Sequence, residues 1–129
     1  MAGYTKVNLK EVEDQAPKFG LSPDLEARFA RVPLDAESTG VTYQRLGPNF
    51  RLPFGHNHKT QEEVYIVVSG SMRAKLDDEI VELVRWDAIR VPKETMRGFE
   101  AGPDGVEFIV TGVPGGPGDA QTTPGWWSD

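Results

Sequence analysis

The sequence predicts an all-β domain, and three observations carry that reading. Short runs rich in Val, Ile, Tyr and Phe recur along the chain. Turn residues separate them at roughly 8–12-residue intervals, and no helical period is sustained beyond Gly40. About eight such strands with turn chemistry between them imply a sandwich or a barrel.

Residues 1–24 are polar and interrupted by Pro17, Gly20 and Pro23. They read as an N-terminal arm in which Lys6, Val7, Asn8 and Leu9 form a short strand. Leu25, Ala27 and Phe29 then alternate with Glu26 and Arg28, which favours a strand. Leu25, Phe29 and Val32 also share a helical face, so a helix is the alternative, and Pro33 closes the element in either case. Residues 41–46 run to the turn pair Gly47-Pro48, and 50–54 lead into a strand carrying both histidines, with Pro53 marking an edge or a bulge. The β-branched and aromatic run 64–68 fits a strand covered on both faces. Ser69-Gly70-Ser71 reads as a tight turn into 72–76, and Asp77-Asp78 as a turn into 80–84. Strands at 86–91 and 95–99 flank Pro92-Lys93-Glu94. Gly102-Pro103-Asp104-Gly105 reads as one more turn, before the strand 106–111. The barrel thus spans 25–112. Residues 113–129 are rich in Gly and Pro and read as an irregular C-terminal tail. Its last apolar residues, Trp126 and Trp127, should cover a barrel face or a neighbouring subunit, because two adjacent indoles are costly in water.

Composition narrows the function. The chain has 129 residues and a net charge of −6, a single domain with room for a core and no basic footprint for nucleic acid or anionic membranes. Leu, Ile, Val and Phe supply 31 residues, too many for a disordered chain. With no cysteine, disulfides, thiolate metal sites and cysteine nucleophiles are excluded. No apolar run has the length of a membrane span, and no leader-like apolar segment opens the sequence, so a cytoplasmic protein is expected.

The chemistry concentrates in one stretch. The only two histidines, His56 and His58, are two apart, so on a strand both imidazoles face the same side. Glu63 follows after a gap that accommodates a short turn, and two imidazoles with one carboxylate make a divalent-metal site. Glu63 shares a strand face with Tyr65 and Val67, whereas Glu62 faces away. Gln61 is a further candidate contact, since an amide oxygen suits hard cations. Tyr43, Gln44, Tyr65 and Phe108 are candidate pocket residues, although ordinary packing explains each of them singly. No Ser/His/Asp set can be built without taking histidines from the metal site.

His56, His58, Glu63 and Gly70 match the pattern His-x-His-x4-Glu-x6-Gly, and in this the stretch resembles the first motif of the cupin superfamily. The second motif of that family is represented in 86–101 only by the frame of Asp87 and Pro92. Arg97 stands where the family has its third histidine, and Ala101 where it has an asparagine. The resemblance implies a double-stranded β-helix, or jelly-roll, barrel with its site in the mouth. It also implies a homodimer, and this chain's apolar tail adds the expectation that Trp126 and Trp127 lie in or beside the interface. The expected ligands are His56, His58 and Glu63, holding Fe, Mn, Ni or Zn, and the expected substrate contacts are Arg97, Gln61 and Tyr65. A guanidinium cannot ligate a metal. Facing inward, Arg97 must pair Glu63 or an anionic ligand; otherwise it faces solvent. The implied function is dioxygenase-, isomerase- or decarboxylase-like chemistry on a small anionic organic molecule. The alternative is a non-catalytic small-molecule binding or sensing barrel, which the missing third histidine favours.

Overall fold

A computed structural model describes residues 2–129. Among them eight strands form one curled antiparallel sheet: β1 (Leu25–Phe29), β2 (Gly40–Leu46), β3 (Phe54–His58), β4 (Glu63–Leu76), β5 (Glu79–Val84), β6 (Ala88–Val91), β7 (Arg97–Gly112) and β8 (Ala120–Pro124). The jelly-roll expectation holds, but two of the expected turns do not reverse the chain. Residues 69–71 lie inside β4 and 102–105 inside β7, so each is a bend within one long strand.

These bends divide β4 and β7 between two halves of the barrel. Glu63–Val67 of β4 lies between β6 and the distal half of β7, whose outer neighbour is β2. Beyond the bend, residues 72–76 lie between β5 and Arg97–Ala101 of β7. The two bends meet across the ladder. Gly70 and Gly105 both adopt positive φ (76° and 78°), and the ladder slips on either side of Gly70. Only glycine tolerates this approach, because a Cβ on Gly70 would lie 2.1 Å from the carbonyl oxygen of Gly105.

The inward residues of these strands form the core. Leu46, Val67, Met72, Val91, Phe99 and Phe108 are fully buried. The rings of Tyr65, Phe99 and Phe108 cluster with centroids 4.7–6.2 Å apart. Each such side chain contributes about 2–3 kcal/mol relative to exposure. The outward residues Val64, Ile66 and Val68 are only partly buried, so this strand is not covered on both faces as its composition suggested.

The N-terminal arm differs from its sequence reading. Residues 6–9 form no strand. The Asn8 side chain accepts a hydrogen bond from the Lys10 backbone N–H (2.9 Å) and starts a 3-10 turn at Leu9–Glu11. The strand reading of β1 holds. Pro33, however, lies within a single helical turn, α1 (Arg31–Leu34), which ends at Asp35 in the left-handed region. The arm is pinned to the outer face of β1. Asp14 accepts from the Ala16 and Ala27 amides, and the Arg28 guanidinium donates to the Val12 carbonyl.

Glu26, on the same face, accepts hydrogen bonds from Arg28 (2.5 Å), Lys10 (3.1 Å) and Arg45 (3.1 Å). Burial pushes its carboxyl up, but these three cations prevail and bring it down to about 2. An unfolded glutamate titrates near 4.5. The lower folded value means this contribution to stability is complete above that pH and is lost as pH falls towards 2. A Glu26→Gln protein should therefore be less stable than wild type at neutral pH and indistinguishable from it near about pH 2. Urea midpoints at both pH values check this, and an equal gap at both would refute it.

The C-terminal segment also departs from expectation, because it is not wholly irregular. The β-forming run Gln121-Thr122-Thr123 pairs with β3 as strand β8, while the Gly and Pro residues flank it. Both terminal indoles lie on their own barrel. Trp126 covers Gly55 and Gly98, and Trp127 is buried beneath Arg51 and Arg73 (4.4 and 5.3 Å from its ring). A second subunit is not needed to cover them. No helix among the described residues is long and apolar enough to cross a membrane.

Candidate metal centre

β3 and the start of β4 build the site. The two-residue period of β3 turns His56 and His58 inward, while Asn57 between them points out and donates to the Glu94 carbonyl. The two rings stand edge to face, 5.1 Å apart. Glu63 opens β4 beside Val91 and Gly112, which carries its carboxylate into the same space. Its Oε1 is 3.5 Å from His56 Nε2 and 3.2 Å from His58 Nε2. Donors bound at about 2.1 Å to one metal lie about 3.0–3.4 Å apart for right-angle to tetrahedral geometry. The two Glu63–imidazole distances are close to that spacing, and with all three donors within 4.8 Å of one another small side-chain shifts bring them onto one ion.

The surrounding groups prepare these donors. The Tyr65 hydroxyl donates to Glu63 Oε1 (2.5 Å), and Arg97 Nη1 lies 3.6 Å from the same oxygen. Burial pushes the Glu63 carboxyl up, but the adjacent imidazoles of His56 and His58 and the hydrogen bond from Tyr65 outweigh it and hold the carboxyl well below its usual range. Burial, reinforced by the Glu63 charge, pushes the Tyr65 phenol well above its ordinary value. Tyr65 therefore stays a hydrogen-bond donor while Glu63 stays anionic.

His58 is the most constrained donor. Its Nδ1 lies 2.9 Å from Asp119 Oδ2, and Asp119 Oδ1 accepts from the Thr60 amide (2.7 Å) and hydroxyl (2.6 Å). The Thr60 hydroxyl bond foremost, with the His58 contact adding to it, lowers the Asp119 carboxyl. An ionised Asp119 requires the proton on Nδ1, which leaves Nε2 free to bind a metal. Nε2 is buried and has no hydrogen-bond partner. A buried nitrogen without a partner, facing a carboxylate and a second imidazole, fits a metal ion. Burial alone would lower the His58 imidazole, but Glu63 and Asp119 outweigh it and raise it, as two flanking anions must when no ion is bound.

Asp119 and Thr60 were not singled out in the sequence. Asp119 lies 61 residues beyond His58, and no local pattern marks it as a metal-site residue. Loss of its charge should cost about 10–100-fold in metal affinity. Asp119→Asn should show this by competition with a chelator while Asp119→Glu recovers part of it. Unchanged affinity in Asp119→Asn would remove Asp119 from the site.

The other candidates are placed unevenly. Gln61, Tyr65 and Gln44 line the cavity above the donors, whereas Tyr43 and Phe108 do not. Tyr43 instead donates to Glu107 on the outer side, and Phe108 is core. Glu62 is exposed and pairs Arg90 at 3.2 Å, as its strand parity required. Arg97 faces inward and is fully buried, but its side chain does not reach the cavity wall. Its Nη2 donates to the carbonyls of Pro92 (2.7 Å) and Val91 (3.4 Å), and Nε and Nη1 have no hydrogen-bond partner. The guanidinium is turned towards the 91–92 backbone, and Glu63 is the anion beside it.

No family model and no curated protein sequence matches this chain. Solved structures do. A cupin protein from Bacteroides fragilis superimposes with a TM-score of 0.72 and 24% identity, over 91% of this chain and 89% of that one. The fold is the cupin fold. KdgF from Halomonas sp. matches with a TM-score of 0.67 and 19% identity, over 85% of this chain and 94% of its own. Oxalate decarboxylase from Bacillus subtilis matches with a TM-score of 0.77 and 20% identity, and there this chain spans 32% of the longer protein. Within this cupin fold the donor group lies inside the barrel and lines the cavity.

Proposed function

We propose that this cupin binds one divalent metal through His56, His58 and Glu63 and uses it to bind, and to act upon, a small organic molecule in the cavity. The observation that carries the reading is His58 Nε2, buried without a partner while Asp119 holds the opposite nitrogen. Two imidazoles and a carboxylate leave coordination positions open and suit Fe, Mn, Ni or Zn. When bound, such an ion supplies Lewis acidity towards an oxygen of the ligand.

The chain's own residues set the rest. Asp119 fixes the tautomer and orientation of His58. Tyr65 holds the Glu63 carboxylate in place, and its phenol, kept protonated by burial, remains a donor. Arg97 offsets the Glu63 charge from behind. The apolar walls limit water around the donors. With such an ion His56, His58 and Glu63 would support isomerase- or decarboxylase-type chemistry on an oxygen-donor ligand, and with iron dioxygenase-type chemistry, and these are the reaction classes we assign.

A non-catalytic binding role is the second reading, and Arg97 favours it. A fixed guanidinium 3.6 Å from a ligand oxygen competes with a metal for that oxygen and weakens the site. Elemental analysis of protein purified without chelator separates the two. One metal per chain is expected, and none, with no uptake at micromolar concentration, would end the metal reading.

A further inference from the structure

The cavity above the donors has a volume of about 810 Å³, within the range of sites that enclose a drug-sized molecule. A two- or three-carbon acid would leave most of it unfilled. Its walls are largely apolar, with Leu25 and Phe29 of β1, Leu52, Phe54 of β3, and Phe99 and Val110 of β7, and their neutral polar groups are Thr42, Gln44, Gln61 and Thr122. The N-terminal arm adds Phe19 and Leu21 on one side. Phe19 and Phe29 are 59% and 47% exposed, so the mouth itself presents aromatic surface to water.

Charge in the cavity is confined to its two ends. Arg31, exposed on α1, stands at the mouth. Glu63 and Asp119 lie at the base, both already engaged with the histidines. Arg97, the nearest buried cation, is walled off from the cavity. A ligand with two anionic ends could satisfy one at the donor group, but between there and Arg31 at the mouth the other would find no cation, only neutral groups on a largely apolar wall, which is unfavourable. An apolar body meets no such penalty.

We propose that the ligand is an apolar molecule, aromatic or alkyl, with a single oxygen-donor head directed at His56, His58 and Glu63, and is not a small diacid. This rests on the metal-site reading and specifies its substrate class.

A ladder of alkyl hydroxamates tests it, because every member has the same metal-binding head and only the body changes. Protein loaded with one Zn²⁺ per chain, verified by elemental analysis, is titrated calorimetrically with acetohydroxamate, butanohydroxamate, octanohydroxamate and oxalate. Each fully buried methylene can tighten binding by up to about fourfold, so the six that separate octanohydroxamate from acetohydroxamate set a ceiling of about four thousandfold, and with partial burial a gain of about a hundredfold or more is expected. Binding should be at one site per chain, with oxalate no tighter than acetohydroxamate. In Phe29→Asp the octanoyl-to-acetyl ratio should fall about tenfold, as a charge enters the apolar mouth. Equal affinities along the ladder, or oxalate binding tighter than octanohydroxamate, would overturn the proposal. If elemental analysis finds no metal, the metal reading fails by itself. The ladder on metal-free protein then decides the apolar ligand separately: a chain-length dependence at one site per chain sustains it, and a flat series overturns it.

Discussion

A His56→Ala protein should keep its fold and lose stoichiometric divalent metal. The His56 side chain is one-fifth exposed and bonds no other group besides its contact with Glu63, so its removal opens no core cavity. The loss falls on the ion. Structural metal sites with a full set of protein donors bind with about 10–16 kcal/mol. Removing one donor of three should cost about a quarter to a third of that, or roughly two to four powers of ten in affinity. The remaining pair, His58 and Glu63, would retain metal only at high concentration. Dialysis against a weak chelator followed by elemental analysis reads this directly, with circular dichroism confirming the fold. Equal metal content in the variant and wild type would place the metal elsewhere.

The largest effect on stability is expected at the paired bends. In Gly70→Ala the new methyl meets three backbone atoms: the oxygen of Gly105 at 2.1 Å, its carbonyl carbon at 2.9 Å and the Val106 Cα at 3.1 Å. None can turn aside as a flexible side chain could, so β4 and β7 must separate where they are hydrogen-bonded. The positive φ adds its own penalty. Together these should cost about 3 kcal/mol or more. Gly116→Ala is the matched control. It has φ of 79° but open space around its Cβ position, so it should lose only about 1 kcal/mol. Urea midpoints of the two variants separate backbone strain from collision, and similar losses would mean that the close approach of the bends matters little.

The parts legible in the sequence were those in which one stretch of chain suffices. The donors His56, His58 and Glu63 lie within eight consecutive residues, and strand parity alone brings them to one face and turns Glu62 away. Strand alternation likewise located β1. What could not be read locally were relations between distant segments. Gly70 and Gly105 have the residue signature of turns, and a turn and a bend in a long strand differ only in what lies opposite. The partner of His58 is 61 residues away, on the segment whose glycine and proline content marked it as irregular. Arg97 could be argued inward only on condition that an anion met it. The carbonyls of Val91 and Pro92, which turn it from the cavity, are backbone atoms that no residue type announces.

The terminal indoles have a use in spectroscopy. Trp126 lies over Gly55 and Gly98, whose sequence neighbours His56 and Arg97 face the interior, so the pair β3–β7 has a fluorophore on one side and the donor group on the other. Trp127 is 6% exposed and should emit as a buried indole, whereas Trp86, 65% exposed on the turn between β5 and β6, should emit as a hydrated one whether or not the protein is folded. Of the three tryptophans, only the two in the C-terminal segment therefore change colour when that segment leaves the barrel. A blue-to-red shift reports release of the segment that carries Asp119, independently of any added label.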